Sequence, residues 1–469
     1  TFELDYLIYA HHSITGSNLN GHANRKSSGQ VIKVMPVCNI GYHTTACRPI
    51  ILQYNPRVTF HPFQNKINMT TAHFNVLFIG GGNAGLSASA YLLLQKPTLK
   101  VGIIEPSSKH YYQPAWTLVG GGVYDIDKTE RNEKDYIPKG ATWLQEFAQT
   151  FQPEQNNVTT REGNTYTYDY LVVCPGIQLN WDAIKGLPET LGKNGVTSNY
   201  SFKYAPYTFE LLKNFKGGNI LFHSPNTPVK CGGAPQKIMY LAADYLRKHN
   251  LLDKSNIQFW SGGTKIFGVP KYEKTLLKVI ERYKIKTNFF QSLVEVDGPN
   301  KKARFVGLGE HNKGVETWVD FDVLHITPPQ GPPDFIKNSP LANAAGWVDV
   351  DKGTLQHVRF PNIFSLGDAS SLPTSKTGAA IRKQTPTMVT NLISLMDQKP
   401  LAKLYTGYTS CPIVTGYGKL MLAEFDYNNQ PMETFPFDQS KERLSMYLLK
   451  REILPRLYWG AIIRGRMQG

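Results

Sequence analysis

The amino-acid sequence predicts an α/β fold with two Rossmann-like domains of the dinucleotide-binding type, followed by a C-terminal membrane-associating region. Three observations carry this prediction. A glycine-rich turn joins an apolar run to a helix-like segment near residue 80, strand and helix patterns recur in residues 201–325, and basic residues alternate with apolar ones in residues 441–469. The predicted division is a leader (residues 1–73), a first Rossmann-like domain (74–200 and 326–400), a second one (201–325) and a C-terminal region (401–469).

We expect the leader to contribute nothing to the fold. Between Tyr6 and Phe74 the chain has no Asp or Glu, while Arg and Lys are spread among many Ser, Thr and Asn residues. This composition is typical of a mitochondrial transit segment. The alternative is a wrongly assigned 5′ extension, because Met69 lies just before the first predicted strand. Both interpretations stay open.

Composition excludes several classes of protein. The net charge is +15, but no Lys/Arg block or zinc-finger motif accompanies it, so we expect no nucleic-acid partner. The five cysteines are too few and too scattered for a disulfide framework, and none is spaced as a pair of metal ligands, so no metal site is predicted. No apolar run is long enough to predict a membrane-spanning helix.

The strongest local motif is G-x-G-x-x-G at residues 80–85, between an apolar run and a helix-like segment rich in Ala and Leu. Gly80 allows a tight turn, Gly82 lets the backbone approach a pyrophosphate, and Gly85 allows the helix to pack closely on the strand. The helix N-terminus then presents free N–H groups to the phosphates. The motif therefore predicts a dinucleotide site.

Two carboxylates complete the predicted cofactor site. Glu105 ends the next strand, twenty residues after Gly85, where it can accept hydrogen bonds from ribose hydroxyls. Residues 360–369 form a strand that ends in Gly-Asp, and in two-dinucleotide flavoproteins this Asp, here Asp368, holds the ribityl chain of FAD. Residues 170–176 resemble another motif of that superfamily, a strand followed by a turn of small residues. Together the three motifs predict FAD.

The second Rossmann-like domain lacks a nicotinamide motif. After the predicted strand at residues 218–222, where a second G-x-G-x-x-G is expected in NAD(P)H-using relatives, the chain has residues 223–235. Pro225 and Pro228 remove N–H donors from this loop. We therefore expect that a nicotinamide does not reduce the flavin.

Cys231 in the same loop is the candidate catalytic residue. It lies beside Lys230, before Gly232-Gly233 and the helix predicted at residues 236–249. A neighbouring cation and a helix N-terminus both lower a thiol pKa and so favour the reactive thiolate. The alternative is a buried, inert cysteine.

The last seventy residues suit a hydrophobic electron acceptor. Tyr417, Phe435 and Phe437 supply aromatic planes of the kind that enclose a quinone ring, although core packing is the alternative. Residues 441–469 contain seven basic and two acidic residues among apolar ones, and Pro455 divides them into two predicted helices. With Tyr458 and Trp459, this segment is typical of an interfacial membrane anchor, the alternative being a helix packed on the protein's own core.

Several longer segments resemble the mitochondrial sulfide:quinone oxidoreductase family. They are residues 111–122, 228–237 (Pro-Val-Lys-Cys-Gly-Gly-Ala-Pro-Gln-Lys), 345–350, 372–377 and 417–437. The similarity extends from about residue 74 to the C-terminus. The resemblance implies a flavoenzyme that is peripheral on the mitochondrial inner membrane. It would oxidise hydrogen sulfide to a persulfide on Cys231, pass electrons through FAD to ubiquinone, and give the sulfur to a small thiol such as glutathione. The implied FAD-binding residues are Gly80, Gly82, Asn83, Ala84, Gly85, Glu105, Gln113 and Asp368.

One departure from the family's pattern affects the expected mechanism. The resemblance places a second redox cysteine directly after the Gly-Asp motif, where this chain has Ala369. Cys174 and Cys411 are the remaining candidates, Cys174 being expected near the nucleotide end of the cofactor and Cys411 in packing. We therefore expect impaired sulfide oxidation, a one-cysteine mechanism or a substituted sequence. A type II NADH:quinone dehydrogenase and an FAD-bound paralogue without catalytic activity are the alternative functions.

Overall fold

The computed structural model describes residues 71–401 and 405–467. The predicted leader lies outside the described residues up to residue 70, and residues 71–73 already belong to the first strand. No statement about a transit segment follows from the described part of the chain.

The described part of the chain contains both strands and helices, which alternate from β9 to β13. The strands are β1 (Thr71–Ile79), β2 (Val101–Ile104), β3 (Lys109–Tyr111), β4 (Glu130–Asn132), β5 (Ala141–Leu144), β6 (Ala148–Gln152), β7 (Asn157–Thr160), β8 (Thr165–Val173), β9 (Gln178–Leu179), β10 (Val196–Thr197), β11 (Gly218–Ser224), β12 (Ser255–Ser261), β13 (Lys286–Asn288), β14 (Gln291–Asp297), β15 (Lys302–Gly307), β16 (Glu316–Asp320), β17 (Val323–Ile326), β18 (Gln330–Gly331), β19 (Ile363–Ser365), β20 (Thr409–Gly416) and β21 (Lys419–Phe425). The α-helices are α1 (Asn83–Gln95), α2 (Trp116–Gly120), α3 (Leu187–Thr190), α4 (Ala205–Asn214), α5 (Ala234–Lys248), α6 (Pro270–Arg282), α7 (Asp334–Lys337), α8 (Gly378–Met396), α9 (Leu444–Leu448) and α10 (Leu454–Gly460).

The first sheet has seven strands in the order β5-β2-β1-β8-β7-β6, and β19 also pairs with β8. Strands β5, β2, β1, β8 and β19 are parallel, whereas β6 and β7 are antiparallel additions. Residues 76–79 of β1 are all buried, as expected for a parallel strand covered on both faces. The late strand β19 thus returns to the same sheet as the glycine-rich turn.

The second sheet has five parallel strands in the order β10-β17-β11-β12-β13. Helix α5 follows β11, as predicted, and its buried face belongs to the core beneath this sheet. An antiparallel sheet of β14, β15 and β16 packs beside it. The two parallel sheets confirm the predicted α/β fold with two Rossmann-like units, while the exact domain boundaries stay a prediction.

The C-terminal region begins with the antiparallel hairpin β20-β21, which packs on α5. Helices α9 and α10 follow, separated by a π-helical turn at Leu449–Ile453. Residues 444–460 are therefore helical throughout, and the π-helical turn lies just before Pro455, which is in the first turn of α10. Among the described residues, no helix is both long and apolar enough to cross a bilayer.

Candidate redox site

The glycine-rich turn has the geometry of a phosphate cradle. Gly80 has a φ of +103°, and a Cβ there would lie 2.6 Å from the carbonyl oxygen of Cys174. A Cβ on Gly85 would lie only 1.9 Å from the Gly80 carbonyl oxygen, whereas one on Gly82 would meet open space. Since no described side chain caps the N-terminus of α1, its N–H groups face this space.

The first turn of α1 also contacts the later cofactor motif. The Cβ of Ala84 lies 3.2 Å from the Cβ position of Gly367, the residue before Asp368. The side-chain Nδ2 of Asn83 lies 3.3 Å from where a Cβ on Gly378, the first residue of α8, would be. The fold thus brings two motifs together that are nearly three hundred residues apart in sequence.

Glu105 lies directly against the glycine-rich turn. Its Oε2 accepts a 2.8 Å hydrogen bond from the backbone N–H of Gly81, and its Oε1 accepts another from Ser107 at the same distance. Burial raises the pKa of Glu105, although these two N–H groups oppose the shift. The carboxylate keeps free lone pairs, so it can still accept a ribose hydroxyl, as the sequence predicts.

Asp368 lines a narrow recess together with Gly367, Lys376, Thr377, Ala380 and Gln384. Lys376 Nζ donates to the Asp368 carbonyl oxygen at 2.7 Å and to the Ser370 carbonyl oxygen at 3.0 Å. Burial raises the pKa of the Asp368 carboxyl and lowers that of Lys376 to about 8. The glycine-rich turn, Glu105 and Asp368 each follow a parallel strand of the first sheet. The N–H groups of the turn and the two carboxylates together suit a dinucleotide cofactor.

Cys231 and Cys411 face each other. Their Sγ atoms lie 3.6 Å apart, with Cys231 three residues before α5 and Cys411 on β20. This separation exceeds an S–S bond of about 2.05 Å and corresponds to two free thiols in contact. A Cβ on Gly233 would come within 2.5 Å of the Cys411 sulfur, so only glycine permits this close approach.

A buried ammonium group polarises the pair. Lys237 Nζ lies 3.0 Å from the Cys231 sulfur; Lys237 is buried, and Cys231 is partly buried. The hydrogen bond from Cys411, and then the charge of Lys237, hold the pKa of Cys231 well below its usual range. The same contact raises the pKa of Cys411. These shifts favour the thiolate at Cys231 and the thiol at Cys411.

Of the two remaining candidates, Cys411 is the thiol that contacts Cys231, which corrects its assignment to packing. The family resemblance places the second redox cysteine at the position of Ala369, which is fully buried in the apolar core of the first sheet. Cys231 and Cys411 instead pack against the core of the second sheet. Cys411 was assigned to packing because nothing in its β-strand pattern reveals a partner 180 residues earlier. Cys174 packs against the glycine-rich turn, its sulfur 3.7 Å from the Gly80 carbonyl oxygen, and burial raises its pKa.

Further cations surround the pair. Lys230 donates to the side-chain oxygen of Gln113, which places this predicted cofactor residue beside the Cys231 loop. Lys450, on the π-helical turn, donates to the Pro114 carbonyl oxygen at 3.2 Å and is 5% exposed. Burial lowers the pKa of Lys450 to about 7 and that of Lys230 to about 8. The Cys231 backbone N–H donates to the Lys376 carbonyl oxygen at 2.7 Å, which links the thiol loop to the recess at Asp368.

The three predicted quinone residues are only partly brought together. The rings of Phe435 and Phe437 stack with centroids 5.2 Å apart, and Phe435 is exposed. The hydroxyl of Tyr417 donates to the Gly121 carbonyl oxygen at 2.8 Å. None of the ring contacts or hydrogen bonds described for the chain joins Tyr417 to the two phenylalanines.

The C-terminal segment has two different faces. Tyr458 and Trp459, interpreted from the sequence as interfacial anchors, are buried, which corrects that part of the membrane prediction. They pack with Leu86 of α1 and with Ile463 in a small apolar core. The opposite face exposes Leu444, Leu448 and Ile453.

Comparison with known proteins decides the family. A search with models of protein families returns no match. The mitochondrial sulfide:quinone oxidoreductase of Dictyostelium discoideum is 50% identical over 397 residues, which cover 84% of this chain and 87% of the relative. That of Mus musculus is 46% identical over 399 residues, covering 85% of this chain and 88% of the relative. The chain belongs to the sulfide:quinone oxidoreductase family.

A solved structure supports the same fold for this family member. The sulfide:quinone oxidoreductase from Aquifex aeolicus superposes with a TM-score of 0.71 at 19% identity, covering 84% of this chain and 92% of that chain. Membership in the family implies a flavin cofactor, which the glycine-rich turn, Glu105 and Asp368 are able to hold.

Sequence reasoning identified Lys230 beside Cys231 but missed two other cations of this site, Lys237 and Lys450. Lys237 could have been found, because it lies six residues after Cys231 at the start of a predicted helix. Lys450 had no distinguishing signal among the seven basic residues of its segment. Its burial follows from the π-helical turn and from packing against the 3-10 turn at Gln113–Ala115.

Replacing Lys237 should make Cys231 a weaker nucleophile near neutral pH. Lys237→Met removes the cation that favours the thiolate, so the pKa of Cys231 rises and alkylation begins at higher pH. The rate of iodoacetamide labelling at Cys231, followed against pH by peptide mass spectrometry, measures this shift. Lys248→Met, on the exposed end of the same helix, is the control and should leave the profile in place. An unchanged profile in Lys237→Met would contradict the assignment.

Proposed function

We propose that this chain oxidises hydrogen sulfide at the Cys231–Cys411 pair and passes the two electrons through FAD to ubiquinone. The observation that carries this proposal is the 3.6 Å contact between the two sulfurs beside Lys237. A pair of thiols can alternate between disulfide and dithiol, which a lone thiol cannot do. Relatives that are 40–50% identical are named as mitochondrial enzymes, and we place this chain on the mitochondrial inner membrane.

FAD fits the cofactor site better than a mononucleotide flavin does. The glycine-rich turn and α1 provide a pyrophosphate cradle, and Glu105 lies where an adenosine ribose would be. Asp368 follows β19 on the same sheet and would hold the ribityl chain. When bound, FAD accepts the two electrons from the cysteines and transfers them to the quinone.

The oxidised form of the pair is a disulfide between Cys231 and Cys411. Hydrosulfide attacks one sulfur, a new S–S bond forms, the disulfide bond breaks, and the other cysteine leaves as a thiolate. Cys411 is 1% exposed, whereas Cys231 is only partly buried, so Cys231 is the sulfur that hydrosulfide can reach. Lys237 stabilises the negative charge that the attack leaves on the pair.

A small thiol such as glutathione then removes the outer sulfur. The thiolate of the acceptor attacks the persulfide, its own persulfide forms, and Cys231 is released as a thiolate. Once Cys411 has taken up one proton, the reduced pair is again the Cys231 thiolate with the Cys411 thiol. Closing the disulfide would then give two electrons to a bound flavin and release that one proton. Lys450, with a pKa lowered to about 7, is suited to take up this proton near neutral pH.

The acceptor end of the reaction is assigned to the C-terminal region. The stacked rings of Phe435 and Phe437 and the nearby cation of Arg443 form a partly exposed aromatic surface. The exposed side chains of Leu444, Leu448 and Ile453 suit insertion into a lipid surface. A quinone held here would enter from the membrane.

The alternative functions lose their main support. The argument for an inactive paralogue depended on a missing second cysteine, and Cys411 supplies one. A type II NADH:quinone dehydrogenase would need a second glycine motif to bind NADH, and the loop after β11 lacks one. Both remain open to direct measurement.

Sulfide-dependent reduction of a short-chain ubiquinone should be abolished in Cys411→Ser as well as in Cys231→Ser. Neither variant can form the disulfide that hydrosulfide opens. Cys47→Ser, which changes a cysteine outside the described residues, is the control and should retain activity. If Cys411→Ser turned over sulfide at the parent rate, a one-cysteine mechanism would replace ours.

NADH should not bleach the flavin on a catalytic timescale. The loop of residues 223–235 offers no glycine triplet to approach the phosphates, and Pro225 and Pro228 lack N–H groups. Stopped-flow absorbance of the holoprotein compares NADH with sulfide as reductant. Rapid bleaching by NADH would restore the dehydrogenase function.

Replacing the exposed apolar face should weaken membrane binding. We expect Leu448→Gln and Ile453→Gln each to lower partitioning onto anionic liposomes about tenfold. The reason is that burying such an apolar side chain contributes roughly 1.5 kcal/mol of binding free energy, which each substitution removes. Liposome co-sedimentation measures the effect. Leu277→Gln, an exposed leucine on α6, is the matched control. Equal loss in the control, or no loss in the two variants, would place the membrane surface elsewhere.

A further inference from the structure

Glu133 has one carboxylate oxygen without a hydrogen-bond partner. Its Oε2 lies 2.8 Å from His110 Nδ1, whereas Oε1 is buried and meets no donor among the described residues. The residue is only 1% exposed, so water does not reach this oxygen freely. A buried carboxylate oxygen that lacks a donor is costly, and its position therefore points to a missing partner.

The unpartnered oxygen lies beside the glycine-rich turn. A Cβ built on Gly81 would be 2.7 Å from Glu133 Oε1 and 2.8 Å from the Cβ of Glu105. The two carboxylates therefore border the same glycine from adjacent positions. Their proximity is also electrostatic, because the charge of Glu133 contributes to the raised pKa of Glu105.

The missing partner must be a hydrogen-bond donor without negative charge. Phosphate oxygens carry no proton to donate and would be repelled by two carboxylates. A ribose offers two adjacent hydroxyls, each of which can donate to a carboxylate, and two neighbouring carboxylates can accept both. The ribose of the adenosine end of FAD has the required chemistry.

The other end of this hydrogen-bonded chain reaches the C-terminal segment. His110 Nε2 lies 2.6 Å from the hydroxyl oxygen of Tyr458 in α10, and both residues are buried. Tyr458 and Ile463 pack with Leu86, a residue of the helix that follows the glycine-rich turn. Gly465 also lies tightly against α1, since a Cβ there would be 2.5 Å from the Tyr91 nitrogen.

We propose that Glu133 is a second ribose-binding carboxylate and that the chain Glu133–His110–Tyr458 couples FAD binding to docking of the segment 444–465. The inference rests on FAD as the cofactor in the proposed function. A ribose hydroxyl holds the Glu133 carboxylate in place, this carboxylate orients His110, and His110 holds the Tyr458 hydroxyl. Glu133 contacts the cofactor, whereas His110 and Tyr458 are positioning residues.

Such coupling is reciprocal. If FAD stabilises the docked segment by some factor, the docked segment strengthens FAD binding by the same factor. Losing the Tyr458 hydroxyl should therefore weaken FAD binding although Tyr458 lies in a different element from every predicted FAD contact. We expect a loss of about fivefold, the contribution of one net hydrogen bond.

The test uses the full chain, from which FAD is removed and then titrated back while its fluorescence is followed. Tyr458→Phe keeps the ring packing and removes only the hydroxyl. Glu133→Gln keeps the shape of the side chain and should weaken FAD binding at least as much. Tyr136→Phe removes a different hydroxyl from the same aromatic cluster, one bonded to Arg131, and is the matched control.

Segment docking is read separately by tryptic cleavage at the arginines of residues 451–464. In the parent protein, FAD should slow this cleavage, and in Tyr458→Phe the protection by FAD should fall by the same factor as the FAD affinity. If Tyr458→Phe binds FAD as tightly as the parent, or no more weakly than the control Tyr136→Phe, or if FAD gives no protection, the inference is overturned. Should Glu133→Gln not fold, Tyr458→Phe and the cleavage assay still decide. A parent protein that binds no FAD, or whose flavin sulfide does not reduce, would contradict the proposed function instead.

Discussion

The contact between the start of α5 and strand β20 determines what the site can do. It brings the sulfurs of Cys231 and Cys411 to 3.6 Å, although 180 residues separate them. The approach depends on Gly233, since any side chain there would collide with the Cys411 sulfur. It also depends on an unusual backbone, because Cys231 has a φ of +54°, a left-handed conformation that costs a non-glycine residue about 1–2 kcal/mol. Strained backbone of this kind is found at functional sites, and here it sets the orientation of the Cys231 thiol.

The charges around this contact follow from it. Lys237 and Lys450 are buried near the pair, and Lys230 and Lys376 are partly buried. Burial of an ammonium group is unfavourable unless an anion is close. The Cys231 thiolate compensates Lys237, and the Asp368 carboxylate opposes the burial of Lys230 and Lys376. A site with this excess of positive charge favours anionic sulfur species, including hydrosulfide and persulfide, over their neutral forms. The prediction that a nicotinamide does not reduce the flavin rests on the glycine spacing of residues 223–235 and not on these charges.

The C-terminal segment joins three parts of the molecule. Its buried face, with Tyr458 and Ile463, packs on the cofactor helix α1, and Lys450 extends from it towards the cysteines. Its exposed face carries Leu444, Leu448 and Ile453. An amphipathic sequence pattern alone cannot distinguish a face that meets the protein from one that meets lipid, because both are apolar. The buried face corresponds to the interpretation of a helix packed on the protein's own core, and membrane binding by the exposed face stays a prediction.

The sequence by itself determined the local chemistry of this protein. The spacing of Gly80, Gly82 and Gly85 between a strand and a helix predicts a dinucleotide turn, because backbone conformation and helix dipole act over a few residues. The reactive character of Cys231 could also be predicted, from its cationic neighbour and the following helix. Only the tertiary structure decided the partner of Cys231, the burial of Lys450 and the link from Glu133 to Tyr458. Each of these depends on side chains from distant elements, and neither hydrophobic periodicity nor motif spacing records which strands and helices will pack against one another.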